Sequence, residues 1–207
     1  MFRWLFSLFK KQTSQGEDPM KKFLIIGLGN IGSEYLETRH NIGFKILDYL
    51  AKTEEVTFEP ARLGDRALCK IKGRTLILIK PSTYMNLSGK AVKYWLDKEK
   101  IPMENLLIVT DDINLPFGTL RLKTKGSAGG HNGLEDVQQR LGTTTYNRFR
   151  FGIGAKFSKG RQVDYVLGQW NEEEAKQLAG RLKKSTELIK SFVLAGVNLT
   201  MNTFNGK

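Results

Sequence analysis

The chain has 207 residues, 40% hydrophobic and 26% charged, which is ordinary for one soluble globular unit with a sizeable core and leaves no room for a large second domain. Lys and Arg number 33 against 21 Asp and Glu, and the resulting charge of +12 favours an anionic partner, either nucleic acid or a lipid surface. A single cysteine, Cys69, with two histidines excludes an internal disulfide and a cysteine-rich metal site, argues against a zinc centre, and makes a reducing compartment the default.

In chain order, residues 1–19 stand apart as an extension. The run MFRWLFSLFKK is apolar and basic, and a polar stretch follows as far as Pro19. It is too short to span a bilayer and has no small-residue cleavage site, so it reads as disordered or weakly helical, with an interfacial helix left open. Met20 then serves as the functional start. Residues 20–207 carry the ordered protein. Phe23 to Ile26 reads as a buried strand ending at Gly27, and Gly43 to Lys52, with Phe44, Ile46, Leu47 and Leu50 apolar, reads as a helix. Leu76 to Ile79 and Leu106 to Val109 are two more buried strands, with a helix over Lys90 to Lys98 between them. This alternation predicts an α/β fold: one twisted, mainly parallel (mixed) sheet covered by helices on both faces, with sites at the carboxyl ends of the strands. Further on, Asn171 followed by Glu172, Glu173 and Glu174 starts a helix running to about Leu194.

Each motif of chemical interest begins where a strand stops. Gly27-Leu28-Gly29-Asn30-Ile31-Gly32 matches the dinucleotide fingerprint in letters, but no helix pattern opens at the glycines. Asp48 lies inside the helix instead of at the end of a second strand, so an oxidoreductase is disfavoured. The glycines instead let backbone turn sharply beside a substrate. The two histidines, His40 and His131, are each followed by asparagine and framed by glycines. His40 suits a general base, and the alternative is a hydrogen-bonded structural histidine. In KPSTYMNLSG, Asn86 offers an amide donor for an oxyanion or a water, or else it caps the next helix. In Thr110-Asp111-Asp112 a carboxylate can hold an imidazole in its basic tautomer, or simply form a turn. Gly126 to Gly133 is flexible enough for close approach to a ligand, or is a plain loop. No G-x-S-x-G is present, so water is the better nucleophile. Arg121, Lys123 and Lys125 alternate along one strand face, and Arg148 and Arg150 do so on another. These two ladders are either a phosphate track or solvated strand faces, and the net charge favours the track.

Taken together and in this order, GLGNIGSEYLETRHNIG, KPSTYMNLSG, DDINLPFGTLRLKTKGSAGGHNG and RFRFGIG resemble the signatures of bacterial-type peptidyl-tRNA hydrolases. The likeness runs from about Lys21 to the closing Asn202-Thr203-Phe204-Asn205, and departs at Ile31, where the family usually has proline. The resemblance implies a monomeric, cytoplasmic, metal-independent and cofactor-free esterase that frees peptide from tRNA. It implies His40 as the base that activates water, Asp111 as its stabiliser, Asn86 as a donor in the catalytic set, and Asn30 as the residue that tells blocked from free aminoacyl ends. It further implies substrate contacts by Tyr35, Tyr84, Met85, Asn86 and Asn132. Arg121, Lys123, Lys125, Arg148 and Arg150 are candidates for acceptor-stem phosphates. A plant organellar splicing factor shares this fold and much of the site while acting as an RNA-binding partner, so the motifs alone leave that role open.

Overall fold

The computed structural model describes residues 19–206; the expected N-terminal extension, up to residue 18, lies outside the described residues. Seven strands form one sheet: β1 (Lys22–Gly27), β2 (Glu59–Ala61), β3 (Gly64–Ile71), β4 (Arg74–Pro81), β5 (Leu106–Asp112), β6 (Leu120–Lys125) and β7 (Thr145–Gly152), in the order β2-β3-β4-β1-β5-β7-β6. The four central strands, β4, β1, β5 and β7, are parallel. Antiparallel partners close both edges, β3 and β2 on one side and β6 on the other.

The apolar runs that mark the strands are continuous because both faces of the sheet are covered. Along β1, Phe23 and Ile25 face a core shared with α1 (Ile42–Thr53) and α5 (Glu172–Ala195), while Leu24 and Ile26 face one shared with α2 (Ser88–Glu99) and α3 (Asn132–Leu141). The helix expected after Asn171 is α5, and its start is a complete capping box in which Asn171 and Glu174 exchange side-chain-to-backbone hydrogen bonds. The short helices α4 (Gln162–Val166) and α6 (Val197–Phe204) are the remaining α-helices among the described residues.

Two features of the topology position the site. The chain leaves β1 for α1 on one face, and β1 is flanked by β4 and β5, so the carboxyl ends of these strands diverge around a crevice of the kind found at a switch point in α/β sheets. The glycines of β1 and α1 then bring two backbones into contact. A Cβ on Gly27 would lie 2.4 Å from the Gly43 carbonyl oxygen, and one on Gly43 would lie 2.4 Å from that of Leu28. The head of α1 is thereby pressed against the end of β1. The glycine run itself opens no α-helix; the chain passes through 3-10 turns at Ser33–Tyr35 and Arg39–Asn41 before α1 begins at Ile42. The helix N-terminus that a dinucleotide pyrophosphate requires is therefore not at the glycines.

The far edge is closed by the C-terminus. Asn205 accepts from the Leu122 N–H at 2.7 Å and donates to its carbonyl at 3.1 Å, so one side chain occupies both backbone groups on the open side of β6. Such coverage blunts an edge strand.

Candidate active site

Asp111 stands next to last in β5 with its carboxylate almost wholly buried, a costly location unless the charge is paired. Two imidazoles pair it. His40, in the turn Arg39–Asn41, places Nδ1 2.9 Å from Asp111 Oδ1 and 3.0 Å from Oδ2. His131 places Nε2 2.9 Å from Asp111 Oδ1 and 2.7 Å from the Thr110 hydroxyl.

The proton positions follow from the backbone. His131 is the N-cap of α3, and its Nδ1 accepts from the Gly133 and Leu134 N–H groups at 3.1 and 3.3 Å. That nitrogen must keep its lone pair, so the ring proton sits on Nε2 and is donated to Asp111. His40 likewise donates its Nδ1 proton to the carboxylate, which leaves Nε2 free to act as a base. Burial pulls the His40 pKa down, but the charge and hydrogen bond of Asp111 more than offset it, and the value ends above the ordinary 6.5. Burial pushes the Asp111 carboxyl up, and the two histidines outweigh it, holding the group well below the usual carboxylate range.

Asparagines join the surrounding loops. Asn41, fully buried, accepts from the Asn30 backbone N–H at 2.8 Å and donates to the Asn30 carbonyl at 2.9 Å. The Asn30 side-chain oxygen accepts from the Met85 N–H at 2.7 Å, leaving its NH2 as the group able to serve a ligand. Asn86 does not cap the helix that follows: α2 begins after Leu87 without a side-chain cap. Its amide is exposed at the wall of a cavity of about 440 Å3 that also holds His40, Asp111 and His131. Asn30, Tyr84, Met85, Asn132 and Arg150 line the same cavity.

Several expected contacts lie elsewhere. Tyr35 sits half-buried in its own 3-10 turn and does not line the cavity. The two cationic ladders are neighbours, because β6 and β7 pair Arg121 with Arg150 and Lys123 with Arg148, which puts all four on one face of the sheet. Lys125 stands beyond a bulge, opposite Thr145. Arg148 requires a correction. Its side chain is only 2% exposed, bound through Nη1 to the Ser127 carbonyl at 2.8 Å and stacked on Tyr146. Burial also lowers its pKa. Arg148 is thus a cation beneath the loop and not a surface group, which leaves Arg121, Lys123 and Lys125 as the accessible ladder. Arg150 is held by an ion pair with Asp112 at the cavity wall, so Asp112 is occupied there and Asp111 is the carboxylate that serves the histidines.

His131 is the functional residue that the motifs identified without a role. Its signal was local: a polar side chain directly before an amphipathic helix is a cap. Nδ1 of His40, Nε2 of His131 and a carboxylate oxygen of Asp111 lie within 4.8 Å of one another, the spacing of a metal-ligand set. Both nitrogens, however, carry the protons that hold the carboxylate, and releasing either would open this array.

A buried carboxylate between two imidazoles, beneath a cavity edged by free amides and bordered by cations, at the strand ends of a mixed α/β sheet, defines a protein equipped for hydrolysis. The chain belongs to the family described as "Peptidyl-tRNA hydrolase", whose profile matches residues 24–207. A peptidyl-tRNA hydrolase of Phocaeicola vulgatus is 58% identical over 186 residues, 90% of this chain and 100% of its own length. One of Bacillus pumilus is 42% identical over 88% of this chain and 97% of its own. The crystal structure of peptidyl-tRNA hydrolase from Acinetobacter baumannii superposes with a TM-score of 0.84 at 36% identity, covering 90% of this chain and 95% of that one.

Proposed function

We propose that this chain hydrolyses the ester linking a peptide to tRNA, with water activated by His40. The observation that carries this reading is the hydrogen-bond geometry around Asp111, in which His40 Nδ1 faces the carboxylate and so leaves Nε2 as the ring nitrogen able to act as a base at the cavity wall. Nε2 takes a proton from water as the oxygen attacks the ester carbonyl; the tetrahedral intermediate collapses, and the same proton passes to the departing ribose oxygen. The peptide leaves as a carboxylic acid and the tRNA as a free alcohol. The amides of Asn86, Asn30 and Asn132 are placed to meet the developing oxyanion and the flanking substrate groups. In this reading Tyr84 and Met85 contact the esterified end, Tyr35 lies toward more distant parts of the substrate, and Asn30 reads the blocked amino group.

The substrate is a product of translation, so the reading carries a cytoplasmic location with it. It carries a monomer with it as well, as the family resemblance implies, and no described helix is long and apolar enough to cross a membrane. The deciding assay is release of N-acetyl-amino acid from N-acetyl-aminoacyl-tRNA, with and without chelator. Release that survives chelation is expected, and no release from the folded protein would overturn the proposal.

Asn86→Ala is expected to slow this release by about 10²-fold, on the order of 3 kcal/mol, since it removes a donor from the developing charge. An unchanged kcat would take Asn86 out of the reaction. The exposed cations make a separate claim. Lys123→Ala is expected to weaken many tRNAs alike and to reduce the slope of log affinity against log salt by about 0.7 to 0.9, one counterion's worth. Equal slopes for variant and parent would make β6 a solvated strand face.

A further inference from the structure

Immediately before His40 stands a buried arginine that the mechanism does not use. Arg39 is 7% exposed, and its guanidinium reaches across the fold to Glu174 Oε2 at 2.8 Å and the Tyr165 carbonyl at 3.3 Å. The Tyr165 ring lies 4.5 Å from the guanidinium carbon, and the Trp170 ring 5.7 Å. The backbone repeats the link: the Arg39 N–H donates to the Gly168 carbonyl at 3.0 Å, and Thr38 pairs with Gln169 in an isolated antiparallel bridge. Glu174 is already fixed as the third residue of the α5 capping box, accepting from Asn171 N–H with the same Oε2. One planar cation therefore ties three things together: the turn that carries His40, the start of α5, and the segment between β7 and α5.

That segment is part of the site. Gln162, Val163, Val166 and Leu167, on α4 and just after it, form one wall of the cavity. The turn held by Arg39 carries the base, and the strand of chain held by the same guanidinium carries the wall. We infer that Arg39 is a positioning residue for the reaction proposed above, coupling the α4 wall of the cavity to the alignment of His40 against Asp111. A lysine could not replace it, because a single ammonium cannot serve two acceptors in a plane while stacking on a ring. The inference rests on the hydrolytic reading for its rate consequences, and on geometry alone for its effect on His40.

Three variants test it. Arg39→Lys keeps the charge and loses the fork. Glu174→Gln keeps an acceptor and loses the charge. Gly168→Ala deletes nothing but builds a Cβ 3.1 Å from Arg39 Nη1, and 3.1 and 3.2 Å from the Asp164 and Tyr165 carbonyl oxygens, so the guanidinium and the end of α4 must shift apart by a few tenths of an ångström. In variants that remain folded at the assay temperature, kcat on N-acetyl-aminoacyl-tRNA is expected to fall by about tenfold to 10²-fold, the scale of a misaligned reacting group. KM and the affinity for deacylated tRNA should change little.

A purely structural ion pair would not move the second readout, the titration of the His40 ring protons by NMR. The chain has two histidines, so His40→Ala assigns the signals. The charged and titratable groups around His40 are Asp111 on β5, His131 at the head of α3, and the Asp112–Arg150 pair across the cavity; none of them is altered in the variants. Looser contact with Asp111 should move the His40 midpoint downward in Arg39→Lys and Gly168→Ala. An unchanged midpoint with unchanged kcat in a folded variant would overturn the coupling, as would failure of all three variants to fold, which would make Arg39 a folding residue. A parent protein that released no N-acetyl-amino acid would refute the hydrolytic reading instead, and the His40 titration would still decide the coupling.

Discussion

Replacing His40 with alanine is expected to lower hydrolysis of N-acetyl-aminoacyl-tRNA by about 10²-fold to 10⁴-fold, the usual range for a lost general base. The fold should survive. The side chain lies at the cavity wall and not in either apolar core, and Asp111 keeps the N–H of His131 when His40 is gone. The stability cost should depend on pH in a defined direction. The folded pKa of His40 is raised above its ordinary value, so the stabilisation from its charged form is complete below the unfolded value, near 6.5, and is lost as pH rises through the folded one. Melting of parent and variant should therefore differ more at pH 5 than at pH 8. Turnover near that of the parent would remove His40 from the mechanism, and a melting difference that grew with pH would contradict the pairing.

How far these conclusions could be read from the chain depends on which interactions fix each element. Three of the four central strands were legible because burial on both faces leaves nothing but apolar residues at Phe23 to Ile26, Leu76 to Ile79 and Leu106 to Val109. The hairpin of β2 and β3 went unread. In β3 the buried Ala67, Cys69 and Ile71 alternate with exposed Leu68 and Lys70, a period of two that charged neighbours dilute. The Lys72-Gly73 turn into β4, with φ of 45° and 78°, needs a left-handed lysine that no sequence rule favours. In the site, Asp111, His40 and Asn86 were visible because they stand at strand ends or among glycines. The proton pattern was not, since it depends on a helix cap meeting a carboxylate 20 residues earlier. Arg148 shows the limit most plainly. Alternation correctly placed it on the face of Arg150, but the Ser127 loop that buries it is 21 residues away in the chain, and periodicity carries no information about a covering loop.

That proton pattern makes Asp111→Asn a more severe substitution than the loss of one charge. His131 is locked as a donor, because its other nitrogen caps α3, so the oxygen of the substituted amide would be drawn toward His131 Nε2. The amide NH2 then faces His40 Nδ1. A donor 3.0 Å from Nδ1, beside an oxygen that stays 2.9 Å from the same nitrogen and is already held by His131, favours the tautomer in which Nδ1 accepts and the His40 proton moves to Nε2, the atom that must be free to take one from water. The comparable aspartate-to-asparagine change in a serine protease triad costs about 10⁴-fold through the wrong tautomer, and a loss of the same order is expected here. The pH profile separates this from simple loss of charge. In the parent, kcat/KM should rise with pH as His40 deprotonates, with a midpoint above the ordinary value because its pKa is raised. If Asp111 acted through charge alone, the variant's midpoint would move to lower pH and its high-pH plateau would stay within about tenfold of the parent's. If the tautomer is inverted, the plateau itself stays low at every pH, since a neutral imidazole with its proton on Nε2 cannot be made basic by raising the pH. A variant that recovered near-parental rates at high pH would show that His40 Nδ1 still donates to the oxygen it shares with His131, and would overturn the inverted tautomer.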